Sequence, residues 1–175
     1  MEVEAKFPLK EPDKLKKLLA EKGSFLKRKL EEDIYFNSPL RDFKESDEAL
    51  RVRKDEEGVT ITYKGPKLDS ETKTREEIKI KVDDFEKAVE LLKKLGFKPV
   101  REVKKIRELY EVEGVLVCVD HVFNLGDFVE FEIDSEDVGK AKEKIFRLAE
   151  ELGFKKEDSL RESYLEMLER VKSNR

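Results

Sequence analysis

Polar and apolar residues alternate from the first positions of the chain. In EVEAKF, Glu2, Glu4 and Lys6 alternate with apolar residues. Successive side chains of a β-strand point to opposite faces, so this pattern predicts a strand with one apolar and one charged face. Similar segments recur between turn signals such as Glu57-Gly58. The predicted strands are Glu2–Phe7, Phe25–Phe36, Ala49–Lys54, Val59–Lys64, Thr72–Val82, Lys98–Glu111, Val115–His121 and Phe128–Asp134.

Four other segments show the three-to-four-residue spacing of amphipathic helices. The first has Pro12 in its opening turn and is followed by Gly23, which favours a helix end. Most neighbouring strands are joined by short turns, so the sheet should be largely antiparallel. The predicted helices are Glu11–Lys22, Asp84–Leu95, Val138–Leu152 and Leu160–Val171.

One face of nearly every predicted strand is charged, and the charges have both signs. If the sheet is open, this face points to water, and each exposed ion pair contributes about 0–1 kcal/mol. If the sheet closes with the charged face inward, clustered carboxylates require a divalent cation and clustered Arg and Lys require an anion. A metal–polyphosphate complex would satisfy both sets, but alternation alone leaves the two arrangements open. The acids of this face are Glu2, Glu4, Asp120, Glu130 and Glu132, and its bases are Lys6, Arg51, Arg53, Lys64, Arg75, Lys105 and Arg107.

Composition restricts the classes of function. The 175 residues suit one domain, and a charged content of 46% resembles proteins of hyperthermophiles. A net charge of −4 argues against a general nucleic-acid or membrane-surface binder. Cys118 and His121 are single copies, which excludes an internal disulfide and a conventional zinc site, so a metal would be held by oxygen ligands. The chain lacks a long apolar run and a signal-peptide pattern, so we expect a cytoplasmic protein.

Eight sequence blocks, in order, carry a family resemblance. Together they resemble the CYTH family, the triphosphate tunnel metalloenzymes, and the later blocks are most similar to its class IV adenylyl cyclase branch. The blocks are EVEAK at the start, DIYF at Asp33–Phe36, LRVRK at Leu50–Lys54, TYKGPK at Thr62–Lys67, TKTREE at Thr72–Glu77, KIRELY at Lys105–Tyr110, VDHVFNLGDFVEFEI at Val119–Ile133 and ESYLEML at Glu162–Leu168.

The resemblance implies a fold and a site. The expected fold is a single α+β CYTH domain over residues 1–175, an antiparallel barrel or tunnel of about eight strands with a charged interior and helices packed outside. The resemblance places Glu4, Asp120 and Glu130 at positions for Mg²⁺ or Mn²⁺, with Glu2 and Glu132 adjoining. It places Arg53, Lys64, Lys105 and Arg107 at triphosphate-binding positions, to which Lys6, Arg51 and Arg75 are added. Glu4, Lys6, Asp120 and Glu130 are the expected catalytic residues.

Some nearby residues are less suited to chemistry. Lys79 follows Glu77 where many family members carry a second acid, so Glu77 is expected to form a salt bridge with Arg75 or Lys79. His121 points away from the face of Asp120 and is interpreted as structural. The tyrosines at positions 35, 110 and 164 are expected to pack rather than react.

Three functions are compatible with these residues. The leading hypothesis is cyclisation of ATP to cyclic AMP and pyrophosphate. The second is hydrolysis of inorganic tripolyphosphate, thiamine triphosphate or a nucleoside triphosphate, which would use the same metal and phosphate groups. The third is non-catalytic binding of polyphosphate or nucleotide, which would not require five acids on the charged face. The expected partner is a triphosphate-bearing small molecule, and a homodimer is plausible by resemblance.

Overall fold

Eight strands form one antiparallel sheet in the computed structural model, which describes residues 1–173. Their spatial order is β1-β8-β7-β6-β2-β3-β4-β5, and each neighbouring pair is antiparallel. The strands are β1 (Glu2–Pro8), β2 (Ser24–Asn37), β3 (Ala49–Asp55), β4 (Gly58–Lys64), β5 (Glu77–Val82), β6 (Lys98–Val112), β7 (Val115–Val122) and β8 (Gly126–Asp134).

The two ends of this sheet order are brought together by the segment that precedes β5. The backbones of Glu2 and Arg75 exchange two hydrogen bonds, of 3.3 and 3.2 Å. The amide of Lys73 also donates to the carbonyl oxygen of Glu4, at 2.9 Å. The sheet therefore curls around its charged face, and the expectation of an antiparallel tunnel with a charged interior is confirmed.

The predicted strand Thr72–Val82 is wrong in its first part, because the regular strand begins at Glu77. Residues 72–76 contain only the isolated bridge made by Arg75. The carboxylate of Asp69 accepts hydrogen bonds from the amide and hydroxyl of Thr72, which holds this segment in a turn. Side-chain hydrogen bonds of this kind compete with a regular ladder.

Five α-helices pack outside the sheet, and three of the four predicted helices begin and end within one residue of expectation. The fourth is wrong at its start: it begins at Tyr164, because the amide of Leu160 donates to the carbonyl oxygen of Lys6 at 2.8 Å in a bridge to β1. A short helix and a 3₁₀ turn were not predicted, since neither is long enough to show periodicity. The helices are α1 (Pro12–Lys22), α2 (Phe43–Ser46), α3 (Phe85–Lys94), α4 (Val138–Glu151) and α5 (Tyr164–Ser173), and the 3₁₀ turn is Lys156–Asp158.

The apolar face of the sheet forms the main core. Phe7 and Phe131 from adjacent strands pack edge-to-face, with ring centroids 5.8 Å apart. Leu19 of α1 and Ile145 of α4 belong to the same buried cluster and, like these rings, are fully buried. Because α1 and α4 cover the apolar face, the alternation in β1 directs the side chains of Glu4 and Lys6 to the other face. No helix within residues 1–173 combines the length and apolar character needed to cross a membrane.

Candidate functional site

The charged face lines a cavity of about 750 Å³. This confirms the closed arrangement and excludes the open, fully solvated sheet. Of the twelve predicted site residues, Asp120 alone is absent from the lining. The predicted residues that do line it are Glu2, Glu4, Lys6, Arg51, Arg53, Lys64, Arg75, Lys105, Arg107, Glu130 and Glu132.

Three of the predicted acids form a compact group. Glu4 on β1 pairs with Glu132 on β8 in the strand register, and Glu130 lies two residues away on the same face. One carboxylate oxygen from each can be chosen so that all three lie within 4.8 Å of one another. We name Glu4, Glu130 and Glu132 the glutamate cluster.

The electrostatics of the glutamate cluster fit a divalent cation. Burial, followed by the neighbouring charges of Glu4 and Glu2, raises the pKa of Glu132 well above its ordinary value. Burial also opposes ionisation of Glu130, but Arg107, Lys6 and other cations outweigh it and hold that pKa well below its ordinary value. Carboxylate oxygens are the ligands that Mg²⁺ and Mn²⁺ prefer. A divalent cation would offset both the burial of the Glu132 carboxylate and its repulsion by Glu4 and Glu2.

Two predicted metal-binding acids lie outside this cluster. Glu2 lies 3.3 Å from the ammonium of Lys64, and burial raises its pKa despite that contact. Both oxygens of Asp120 are used by other groups: Arg107 donates to each of them at 2.7 Å, and the hydroxyl of Tyr164 donates to Oδ2 at 2.6 Å. In this structure Asp120 orients Arg107 and Tyr164 rather than facing the glutamate cluster.

Several predicted cations are paired with acids that the sequence analysis did not include. Arg53 donates two hydrogen bonds to Asp33, at 2.7 and 2.9 Å. Lys105 lies 3.2 Å from Asp33 and 3.4 Å from Glu31. These cations outweigh the burial penalty and hold the pKa of Asp33 and Glu31 well below their ordinary values. The alternation of Glu31 and Asp33 along β2 was the signal that could have placed them on the charged face.

Arg51 and Arg75 differ from the other cations. Both are buried, and neither forms a salt bridge with a carboxylate in the part of the chain that the structure describes. The Nε atom of each is buried without a hydrogen-bond partner among those residues. A buried donor without a partner is costly, so these two guanidiniums are suited to an anionic ligand with several oxygens. Phosphate oxygens match this geometry.

Lys6 and Lys64, two further predicted cations, both lie next to glutamates. The Nζ atom of Lys6 lies 3.4 Å from Glu130 Oε1 and 3.7 Å from the ring centroid of Tyr164. Burial and the nearby Lys73 ammonium lower the pKa of Lys6 to about 7, although Glu130 opposes the shift. Lys64 lies between Glu2 and Glu77, at 3.3 and 3.5 Å.

The remaining expectations have mixed outcomes. Glu77 contacts Lys79 at 3.6 Å, as predicted, and also contacts Lys64. His121 is exposed and lies 3.0 Å from Asp127, which agrees with a structural role. Tyr164 packs as predicted, but its hydroxyl also belongs to the site.

Lys73 was not predicted as a site residue. Its side chain reaches Glu4 from the segment that precedes β5. Only the closure of the sheet brings Lys73 to the cavity, so neither its spacing nor its local pattern could have indicated this.

The CYTH domain family model matches residues 1–164 of this chain. A protein of Methanocaldococcus jannaschii named "Putative adenylate cyclase" is 43% identical over 171 residues, covering 95% of this chain and 98% of its own. The adenylate cyclase CyaB of Aeromonas hydrophila is 31% identical over 140 residues, covering 78% of this chain and 70% of its own.

Solved structures share the fold. The PH1819 protein of Pyrococcus horikoshii OT3 has a TM-score of 0.88 and 40% identity, with coverage of 98% of this chain and 99% of its own. A Hippeastrum protein described as a "putative adenylyl cyclase" with a dominant triphosphatase activity has a TM-score of 0.64 at 22% identity, covering 87% of this chain and 88% of its own; this shows likeness of fold alone. The charged cavity, the order of the motifs and the extent of the match together establish that this chain belongs to the CYTH domain family.

Proposed function

We propose that this chain is a divalent-metal-dependent enzyme that acts on triphosphates, and that its reaction is the conversion of ATP to cyclic AMP and pyrophosphate. The observation that carries the proposal is the division of one cavity into two chemical parts. The glutamate cluster supplies ligands for a hard cation, and Arg51 and Arg75 supply buried donors without carboxylate partners among the described residues. A metal–triphosphate complex requires both parts.

Glu4, Glu130 and Glu132 would hold Mg²⁺ or Mn²⁺, with Glu2 and Asp120 as adjoining acids. The bound cation would supply Lewis-acid stabilisation of charge on the phosphate oxygens and would favour ionisation of the attacking hydroxyl. Glu4 and Glu130 belong to the catalytic set through this cation, whereas Asp120 acts by fixing the guanidinium of Arg107.

The cations of the cavity would bind the triphosphate chain. Arg forks match phosphate oxygens in a bidentate manner, and Lys acts as a point charge. As the bond to pyrophosphate breaks, negative charge develops on the leaving oxygens, and preorganised donors stabilise it most effectively in a water-poor site. Lys6, buried between Glu130 and the ring of Tyr164, is the expected catalytic cation. The substrate-binding set is Lys6, Arg51, Arg53, Lys64, Arg75, Lys105 and Arg107.

The cyclase reaction is favoured over hydrolysis by the names of the two curated relatives. Hydrolysis of tripolyphosphate, thiamine triphosphate or a nucleoside triphosphate is the second candidate, because the same residues would serve water as nucleophile. The fold is compatible with it, since the Hippeastrum neighbour is described with a triphosphatase activity. A non-catalytic binding module would not need a buried glutamate cluster, whose like charges are unfavourable without a cation.

Product analysis tests this proposal. The purified protein is incubated with Mg²⁺ or Mn²⁺ and, separately, with ATP, tripolyphosphate and thiamine triphosphate, and the products are resolved by chromatography. The matched variants are Glu130→Gln in the cavity and Glu90→Gln on the exposed surface of α3. We expect cyclic AMP and pyrophosphate from ATP with the wild type and Glu90→Gln, and a loss of at least about a hundredfold with Glu130→Gln.

Orthophosphate without cyclic AMP would instead identify a triphosphatase. Unchanged turnover in Glu130→Gln would contradict the proposed site, and absence of turnover with all three substrates would contradict the proposed reactions.

A further inference from the structure

The segment between β4 and β5 forms a strap that runs antiparallel beside β1. We define the strap as residues 66–76. It is held by side chains from outside the sheet: Lys142 of α4 donates to Asp69 at 3.1 Å, and the guanidinium of Arg161 donates to the carbonyl oxygen of Asp69 at 2.7 Å. Its inner residues from Thr72 to Arg75 are buried. The strap therefore has a fixed outer part and a buried inner part, of which Lys73 and Arg75 line the cavity.

The ammonium of Lys73 lies 2.8 Å from Glu4 Oε2, and both side chains are less than one-tenth exposed. The ammonium of Lys6 contacts Glu130 in the same cluster. Arg107 also contacts Glu130, at 3.0 Å. Lys73 is therefore the cation that pairs with Glu4, whereas Glu130 has Lys6 and Arg107 as partners.

We propose that Lys73 is a positioning residue that serves as the resident counter-ion of the glutamate cluster, leaves Glu4 when a divalent cation binds, and then contacts the phosphate chain. This inference rests on the metal site of the proposed function. It gives the strap a role in the site, because Lys73 belongs to the strap and reaches Glu4 from it.

Three features of the structure support this exchange. The strap backbone is anchored without the side chain of Lys73. The amide of Lys73 donates to the carbonyl oxygen of Glu4, and Arg75 forms a backbone bridge with Glu2. The flexible four-carbon stem of a lysine can therefore move while the strap stays in place. Lys73 and Arg75 both line the cavity, so an anion bound by Arg75 would lie within the reach of the displaced ammonium.

Lys73 and a divalent cation would also compete for one carboxylate group, that of Glu4. Two ligands that compete for one group have negatively coupled affinities.

The first test measures Mn²⁺ binding by isothermal titration calorimetry without nucleotide. We compare the wild type with Lys73→Met, with the charge-preserving Lys73→Arg, and with Lys142→Met, which loosens the strap without touching the glutamate cluster. We expect Lys73→Met to bind Mn²⁺ at least about fivefold more tightly than the wild type, since the competing charge is removed. Lys73→Arg and Lys142→Met should bind Mn²⁺ as the wild type does.

The outcomes separate this inference from the proposed function. If the wild type binds Mn²⁺ and Lys73→Met binds it equally or more weakly, the inference is overturned and the metal site stands. An equal gain in Lys142→Met would also overturn it, since loosening of the strap would then be the cause. If the wild type binds no Mn²⁺, the metal site and the inference fail together.

A second measurement follows thermal unfolding and protects the test against poor folding of one variant. Without metal, Lys73→Met should melt at a lower temperature than the wild type, because Glu4 loses its counter-ion, and Mn²⁺ should raise its Tm by more. Lys73→Gln should show the same pattern and replaces Lys73→Met if that variant does not fold. A smaller Mn²⁺-induced rise than in the wild type contradicts the proposal.

The third measurement tests the contact with phosphate. In saturating Mn²⁺, inorganic pyrophosphate should bind at least about fivefold more weakly to Lys73→Met than to the wild type or Lys142→Met, because one charge-assisted contact is lost. The same substitution thus strengthens metal binding and weakens anion binding. Unchanged pyrophosphate affinity would overturn the transfer of Lys73 to the phosphate chain.

Discussion

The hydroxyl of Tyr164 donates a 2.6 Å hydrogen bond to Oδ2 of Asp120, and both side chains are buried. This bond connects the first residue of α5 to β7, in the charged interior of the sheet. The ring of the same tyrosine lies against the ammonium of Lys6. One aromatic side chain therefore packs α5 and orients two predicted site residues.

Substitution Tyr164→Phe should cost stability and activity together. The ring is retained, but Asp120 Oδ2 keeps only its bond from Arg107, and a hydrogen bond to a charged group contributes about 1.5–3 kcal/mol. We expect the free energy of unfolding in urea to fall by that amount and turnover to fall because Asp120 and Arg107 are less well fixed. Tyr63→Phe is the control, since its hydroxyl makes a similar bond to Glu48, which is part-buried rather than fully buried. Equal losses in the two variants would contradict a special role for Tyr164.

Substitution Glu132→Gln should stabilise the metal-free protein at neutral and alkaline pH. The pKa of Glu132 is raised in the folded state, so its contribution to stability is present below the unfolded pKa of about 4.3 and is lost as pH rises through the folded pKa. Glutamine keeps the shape and removes this loss. We expect a higher Tm for Glu132→Gln than for the wild type at pH 8, with the difference vanishing near pH 4.

Asp134→Asn, on the exposed end of the same strand, is the matched control and should show no such pH-dependent gain. Added Mn²⁺ should reverse the order of the Glu132→Gln and wild-type Tm values, because the wild type then gains a ligand that the variant lacks. A Tm below that of the wild type at pH 8 without metal would mean that the charge of Glu132 is already compensated.

Substitution Asp33→Asn should destabilise the protein, and its effect should depend on pH in the opposite direction to that of Glu132→Gln. The pKa of Asp33 is lowered, so its stabilising contribution is present above the unfolded pKa of about 3.9 and is lost as pH falls toward the folded value. Removing one partner of a buried pair costs about 3–5 kcal/mol, and Glu31 near Arg53 and Lys105 should keep the loss at the low end. Urea unfolding at pH 7 and at pH 3 measures the difference.

Glu32→Gln provides the comparison for Asp33→Asn, because Glu32 is the preceding residue on β2 and points to the other face, where it pairs with the partly exposed Lys54. An exposed pair of this kind contributes about 0–1 kcal/mol. A similar loss of unfolding free energy in both variants at pH 7 would show that burial does not strengthen the ion pairs of Asp33.

Substitutions of Arg51 and Arg75 should affect ligand binding more than stability. Neither guanidinium has a carboxylate partner among the described residues, so Arg51→Gln and Arg75→Gln remove little that holds the unliganded fold. Each charge-assisted hydrogen bond to phosphate is worth about 1.5–3 kcal/mol, which corresponds to a loss of roughly 10- to 150-fold in affinity. Titration of tripolyphosphate with Ca²⁺ or Mn²⁺ measures this loss. Arg28→Gln, an exposed position on β2, should bind normally; a loss there equal to that in Arg51→Gln would point to a general charge effect.

The alternation of residue types determined the strands, the division of the sheet into an apolar and a charged face, and the membership of that charged face. These features follow from local backbone geometry, since successive side chains of any strand point in opposite directions. The same alternation included Glu31 and Asp33, although their role as partners of Arg53 and Lys105 required the register of β2, β3 and β6. Resemblance, rather than alternation, indicated that the sheet closes.

Only the tertiary structure decided which charges meet. Glu4 and Glu132 are 128 residues apart in the sequence and adjacent because β1 pairs with β8. Asp120 belongs to the same face but is turned toward Arg107 and Tyr164, because cross-strand pairing and α5 supply it with donors, whereas the glutamate cluster offers only other carboxylates. Lys73 reaches Glu4 because Asp69 holds a turn in the predicted strand and the strap then runs antiparallel beside β1. The sequence specifies the sign and face of each charge through local geometry, whereas the distances between charges depend on strand order, register and loop anchoring, which are non-local.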